Sequence, residues 1–224
     1  MLILGLDSSG KHGSIALADC SAESFRTVEL VPLEGGTFSA QLVPQISGLL
    51  AAHNLTKASI DGFAVVSGPG SFTGLRVGLA VIKALAEILQ KPIAAVSLLE
   101  ALAIAAQIEG RMFAAVDAGR GEVYCGEYQL STASQSRFIS EQLLSQSEFH
   151  MVAAGGPVVT SDDKIAAAAQ ARGLSTILVE LPRADIIARL GFAKIRAGNV
   201  IPPDALDANY IRRTDAEVRK PARL

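Results

Sequence analysis

The chain has 224 residues, 50% of them hydrophobic and 19% charged, with 20 basic against 22 acidic side chains and a formal net charge of −2. That length and apolar content suffice for a sizeable core, as one large domain or two small ones. The near-balanced charge excludes a general electrostatic case for nucleic-acid binding and favours burial against a partner over the tracking of phosphates.

In chain order, an apolar run from Leu2 to Leu6 ends at Asp7, and a polar turn from Ser8 to Gly13 leads into a second run, Ser14 to Ala18. Neither run alternates cleanly, so the pair reads as a hairpin buried on both faces. Phe25 to Val31 alternates better and predicts a third strand nearer the edge. Leu42, Ile46, Leu49 and Leu50 fall at i, i+4, i+7 and i+8, the spacing of an amphipathic helix, with Ser39 as its expected N-cap. Phe63 to Val66 is a fourth strand, and a helix is expected over Leu75 to Leu89. Ile93 to Val96 is a fifth strand, followed by an Ala-rich helix over Leu98 to Ile108.

After Gly110 the same order begins again. Met112 to Val116 ends at Asp117, a turn follows, and Glu122 to Tyr128 is the return strand, so Asp7 and Asp117 occupy matching positions. Leu130 to Ser147, rich in Ser and Gln, resists assignment; Val152 to Ala154 is expected as a strand running into Gly155-Gly156-Pro157. Ser161 is the expected cap of a helix over Lys164 to Arg172, with a short strand at Ile177 to Val179 and a last helix over Ala184 to Ala197. The order βββαβαβα thus appears twice, which predicts an α/β chain of two subdomains, 1–109 and 110–224, each with helices against a mixed sheet. The segment 210–224 carries five basic and two acidic residues and reads as a solvated terminus.

The stretch Val65 to Arg76 joins a strand to a helix through Gly68, Gly70 and Gly74. Exposed N–H groups at a helix start suit an anion, but the spacing argues otherwise. A Walker A loop would need Lys and Ser or Thr after the last glycine, where Leu75 and Arg76 stand, and a Rossmann loop would need one residue fewer between Gly70 and Gly74. Close packing of strand against helix is the better expectation. Cys20 and Cys125 are far apart, and His12, His53 and His150 are scattered without metal-ligand spacing, so no metal site is expected. No uninterrupted apolar run spans a bilayer and Met1 to Leu4 has no basic leader, which predicts a cytoplasmic protein without a membrane partner.

As a whole string, S-G-P-G-S-F-T-G-L-R-V-G-L-A resembles the signature of the TsaB (YeaZ) family, bacterial proteins of tRNA threonylcarbamoyladenosine synthesis within the Gcp-like (glycoprotease-like) superfamily. L-G-L-D-S-S at residues 4–9, D-A-G-R-G-E-V-Y at 117–124 and N-Y-I-R-R at 209–213 are similar to further family elements and follow in the family's order. Gly119 stands where the family usually has Arg, which here follows as Arg120. The resemblance implies the actin/Hsp70/sugar-kinase (ASKHA) fold and a subunit without catalytic residues of its own. It implies pairing with a catalytic TsaD-like paralogue that modifies N6 of an adenosine beside the anticodon, alongside a TsaE-like ATPase, with tRNA met only through the complex. A two-fold interface reuses one patch, so a homodimer through the surface meant for the paralogue is expected of the isolated chain, with a monomer as the alternative. Leu42, Ile46, Leu49, Leu50, Arg76, Leu79 and Lys83 would carry the partner contact, unless the leucines simply face this chain's own sheet. Asp7, Ser8, Ser9, Asp117 and Arg120 would lie near any nucleotide. ATP or ADP is expected at the partner interface and not on this chain alone.

Two other functions compete with that one. A small actin-fold ATPase or phosphotransferase would use Asp7 and Asp117 to position Mg²⁺ through water. A glycoprotease lacks a metal-ligand histidine pair or a Ser/His/Asp arrangement and is the weakest.

Overall fold

The computed structural model describes residues 1–34, 36–132, 135–209 and 211. The first unit contains β1 (Leu2–Asp7), β2 (His12–Cys20), β3 (Phe25–Glu34), α1 (Phe38–Ala52), β4 (Gly62–Gly68), α2 (Phe72–Leu89), β5 (Ile93–Ser97) and α3 (Leu98–Ala105). The second repeats that order with β6 (Gly110–Gly119), β7 (Glu122–Thr132), β8 (Gln135–Ser145), α4 (Gln146–Val152), β9 (Val158–Thr160), α5 (Asp163–Gln170), β10 (Thr176–Leu178) and α6 (Ala184–Arg196). Both five-stranded sheets have one plan: β3-β2-β1-β4-β5 in the first and β8-β7-β6-β9-β10 in the second. In each, the first three strands are antiparallel and the last two run parallel to the first. The doubled βββαβαβα plan of the actin-like architecture is therefore present in full.

The two units exchange their closing helices. The strands divide at 109/110, but α3 packs on β6 and β7 of the second sheet, whereas α6 packs on β1, β2, β4 and β5 of the first. Small residues allow the second contact. A Cβ on Gly191 of α6 would overlap that of Ala64, and one on Gly5 would overlap the carbonyl of Ala184. The Ser14 hydroxyl accepts the Ala184 N–H at 2.9 Å, fixing the start of α6 on the sheet. Lys194 on α6 meets Glu100 on α3 at 2.9 Å, joining the two exchanged helices.

Several local expectations need correction. Val152 ends α4 and residues 153–155 form a 3₁₀ turn, so the strand lies after the Gly-Gly-Pro sequence, at Val158–Thr160. Ser39 lies inside α1, which begins after Thr37. α2 begins at Phe72, three residues before the apolar pattern, because the Ser71 hydroxyl caps it by taking the Gly74 N–H at 3.3 Å. Asp162, not Ser161, caps α5 through the N–H groups of Lys164 and Ile165. α3 stops at Ala105, short of Ile108. The unassigned stretch 130–147 is mostly strand β8. The basic segment 212–224, with Arg212 and Arg213, lies outside the described residues, as does Tyr210.

Candidate functional site

Hydrogen bonds and close packing build the first hairpin turn. Asp7 is 2% exposed, and its Oδ1 accepts the Ser9 N–H at 2.8 Å and the Ser9 hydroxyl at 2.6 Å. Burial pushes the carboxyl above its ordinary value, and the two Ser9 bonds pull against that shift. The Ser8 hydroxyl donates to the Gly74 carbonyl at 2.8 Å, and the Ser9 carbonyl accepts the Ser71 N–H at 2.6 Å. A Cβ on Gly70 would overlap the Ser9 carbonyl, one on Gly74 the Ser8 carbonyl, and one on Gly78 the Ser8 hydroxyl. The glycine spacing that failed both nucleotide patterns is the imprint of a hairpin lying across the start of α2. The packing expectation holds for this stretch.

The second hairpin turns through Gly119, Arg120 and Gly121, whose φ values are +71°, +59° and +77°. Three consecutive residues in the left-handed region favour glycine at the flanks and leave Arg120 exposed at the tip. Asp117 Oδ1 accepts the Gly119 N–H at 2.9 Å, the counterpart of Asp7 and Ser9. In both hairpins, then, the carboxylate at the strand end binds a donor of its own turn.

Between the hairpins lies a cleft of about 1200 Å³, reached by Ser9, Lys11, Phe72, Asp117, Arg120 and Lys164. Of the expected nucleotide-proximal residues, Ser9, Asp117 and Arg120 line it, whereas Asp7 and Ser8 are buried behind the wall. Lys11 and Lys164 went unread in the sequence. Each is a single polar residue in a turn or at a helix start, and only the fold brings the two together. Neither they nor Arg120 form an ion pair among the described residues.

Glu141 on β8 joins both units, and its partner Asn209 lines the cleft. Its Oε1 accepts the hydroxyls of Tyr128 and Ser97, and its Oε2 accepts the Asn209 side-chain amide at 2.6 Å. The Asn209 N–H donates to the Ser67 carbonyl at 2.7 Å, which fixes the C-terminal segment against β4. Burial first, and then the Glu141 charge, push the Tyr128 hydroxyl well up. Burial also holds the Cys20 thiol at about 11 and the Cys125 thiol at about 12. Among the described residues no three His, Cys, Asp or Glu side chains stand close enough to hold a metal ion, and no helix is long and apolar enough to cross a membrane.

The helix pair α1–α2 has two different faces. Leu42, Ile46, Leu49, Leu50 and Leu79, expected to meet a partner, are each at most 5% exposed and sit in this chain's own core. Direct contact with another chain is therefore closed to them. Lys83 is half-buried and donates to the carbonyls of Asp204 and Leu206 at 3.2 and 3.4 Å. Arg76 lies over the Phe72 ring at 3.8 Å from its centroid. Other residues of the two helices are exposed: Val43 (60% exposed), Ser47 and Gly48 on α1, with Ala80, Ala84 and Ile88 (70% exposed) on α2, beside the charged Arg76 and Glu87. α1 carries no charged side chain at all.

The family described as TsaD: tRNA N6-adenosine threonylcarbamoyltransferase matches residues 34–196. A Bacillus subtilis protein named tRNA threonylcarbamoyladenosine biosynthesis protein TsaB is 33% identical over 143 residues, 63% of this chain and 61% of the relative. The Escherichia coli protein of the same name is 33% identical over 132 residues, 58% of this chain and 55% of the relative. The chain thus spans less than two thirds of either relative's length. The structure of YeaZ from Pseudomonas aeruginosa superposes with a TM-score of 0.76 at 28% identity, covering 93% of this chain and 99% of that one.

Proposed function

The chain belongs to the TsaB/YeaZ branch of the Gcp-like superfamily, and from that we propose that it takes part in threonylcarbamoyladenosine synthesis on tRNA as a subunit without catalytic residues of its own. Its role is to bind a TsaD-like catalytic paralogue, with a TsaE-like ATPase as a further member and tRNA engaged through the assembled complex. The observation that carries this reading is the outer face of α1–α2, where Val43 and Ile88 stand exposed beside small residues and α1 is uncharged. An exposed apolar face of this kind marks an interaction surface, and small side chains let a second helix pair approach closely. The same patch is self-complementary in kind, so the isolated chain forms a homodimer through it.

Because both hairpins bind their own turn donors through Asp7 and Asp117, the reading assigns ATP or ADP to the seam with the partner. Lys11 and Ser71 border both the cleft and a groove of about 600 Å³ between the starts of α1 and α2, and the Lys11 charge supports an anion there. The test is nucleoside mass spectrometry on bulk tRNA after depletion, with return of the wild-type chain or of a V43E/I88E double variant. The modified nucleoside should fall away, return with the wild type, and stay low with the variant. Persistence of the nucleoside after depletion would overturn the function.

The size of the cleft favours a second reading, a small phosphotransferase. Saturable ATP turnover by the isolated chain, lost in Lys11→Ala, would support it over the first.

A further inference from the structure

A second, smaller pocket of about 190 Å³ adjoins the cleft, under the 119–121 turn and beside α4 and α5. Its apolar wall includes Phe149, and its polar lining has two carboxylates, Asp117 and Asp162, and two cations, Arg120 and Lys164. None of these four charges is in an ion pair among the described residues. Asp117 binds the Gly119 N–H through Oδ1, and Asp162 binds the N–H groups of Lys164 and Ile165 through Oδ1, so each keeps its second oxygen. His150 also lines the pocket, and both of its ring nitrogens are buried without a hydrogen-bond partner. Buried polar groups are normally bonded, and one that is not needs a reason.

The balance of charge narrows the ligand. A simple anion would meet two carboxylates, and a simple cation would meet two basic side chains; each pays a repulsive cost against half of the lining. A molecule carrying both signs matches all four groups. The volume is below the ~300 Å³ at which pockets for drug-sized ligands begin, which leaves room for a small metabolite and excludes a nucleotide.

We propose that this pocket binds a small zwitterion, an α-amino acid with a short side chain. Its carboxylate lies toward Arg120 and Lys164 and its ammonium toward the second oxygens of Asp117 and Asp162. The inference does not rest on the proposed tRNA function, and either can fail without the other.

The experiment is an NMR titration of the full chain with L-serine, L-threonine, acetate and methylamine as separate probes, following backbone amides and the His150 ring. The hydroxy amino acids should saturate at concentrations about tenfold lower than acetate or methylamine, with shifts confined to residues 117–123, 146–150 and 162–168. Exposed Lys164→Gln should weaken them about tenfold without changing the remaining spectrum. Acetate binding as tightly as the amino acids, shifts spread away from the pocket, or no saturation with any amino acid would each overturn the proposal.

Discussion

The hydroxyl of Ser8 occupies the space where a side chain on Gly78 would have to begin. It is also the group that donates to the Gly74 carbonyl one turn earlier, so one serine fixes both the distance and the register of α2 against the first hairpin. Gly78→Ala gains about 1 kcal/mol of helix propensity, yet it must turn the Ser8 hydroxyl away and break that bond. A net loss of about 1–2 kcal/mol is expected. The double variant Ser8→Ala/Gly78→Ala should recover most of the loss, which a double-mutant cycle by urea unfolding checks. Independent, additive losses would show that the two residues are not coupled.

Gly191→Ala places a methyl group against the Cβ of Ala64 and lifts α6 from the first sheet. Overpacking at such a contact costs about 1–3 kcal/mol. The Gly48→Ala change is its control, because a Cβ there meets nothing within 4 Å. Calorimetric melting should show a clear fall for the first and none for the second.

Asp7 makes stability depend on pH in a defined sense. With its carboxyl raised above the ordinary value of 3.8 by burial, the folded chain holds this proton more tightly than the unfolded chain. The contribution is therefore most favourable at low pH and declines as pH rises from about 3.8 through the folded value, after which the penalty is constant. Asp7→Asn removes the charge and keeps an acceptor for Ser9. Its stability relative to wild type should rise over that window and level off above it. Denaturation midpoints taken at a series of pH values read this directly, and a difference that stays flat with pH would refute it.

On α1–α2 the two faces predict opposite outcomes. Leu49→Ala removes core packing and should cost about 2–5 kcal/mol. Val43→Glu and Ile88→Glu lie on the exposed face and should leave the melting temperature nearly unchanged. Each should nevertheless weaken association with a TsaD-like partner about tenfold or more. Sedimentation or titration calorimetry with the purified partner decides it, and unchanged affinity in both variants would remove this face from the interface.

Much of this architecture is legible in the sequence. The two Asp-terminated apolar runs and the repeated strand and helix order give both sheets, because runs buried on both faces are dense in aliphatic residues. What escapes has physical causes. Periodicity at Leu42, Ile46 and Leu49 reports that one helix face is buried, but not what covers it, so core leucines pass for interface leucines. β8 has a bulge beside it between Glu127 and Tyr128 and carries Ser, Gln and Glu at an edge, so it lacks a strand's usual alternation. The Glu141 network joins residues 97, 128, 141 and 209, which no local spacing can reveal. The lodging of α6 on the first sheet rests on Gly5, Ala64, Ala184 and Gly191, residues too small to leave a hydropathic signal.

That exchange of closing helices bears on how the chain is made. The last strand of the first sheet ends at Ser97, but the helix that covers one of its faces starts only at Ala184. At ribosomal speeds of about 5–20 residues per second, that face waits on the order of ten seconds for its cover. During synthesis the nascent first sheet is an adhesive surface, open to chaperones and to other nascent copies. Neither half, expressed alone, has its full complement of helices, and the two halves are expected to become protease-resistant only when supplied together.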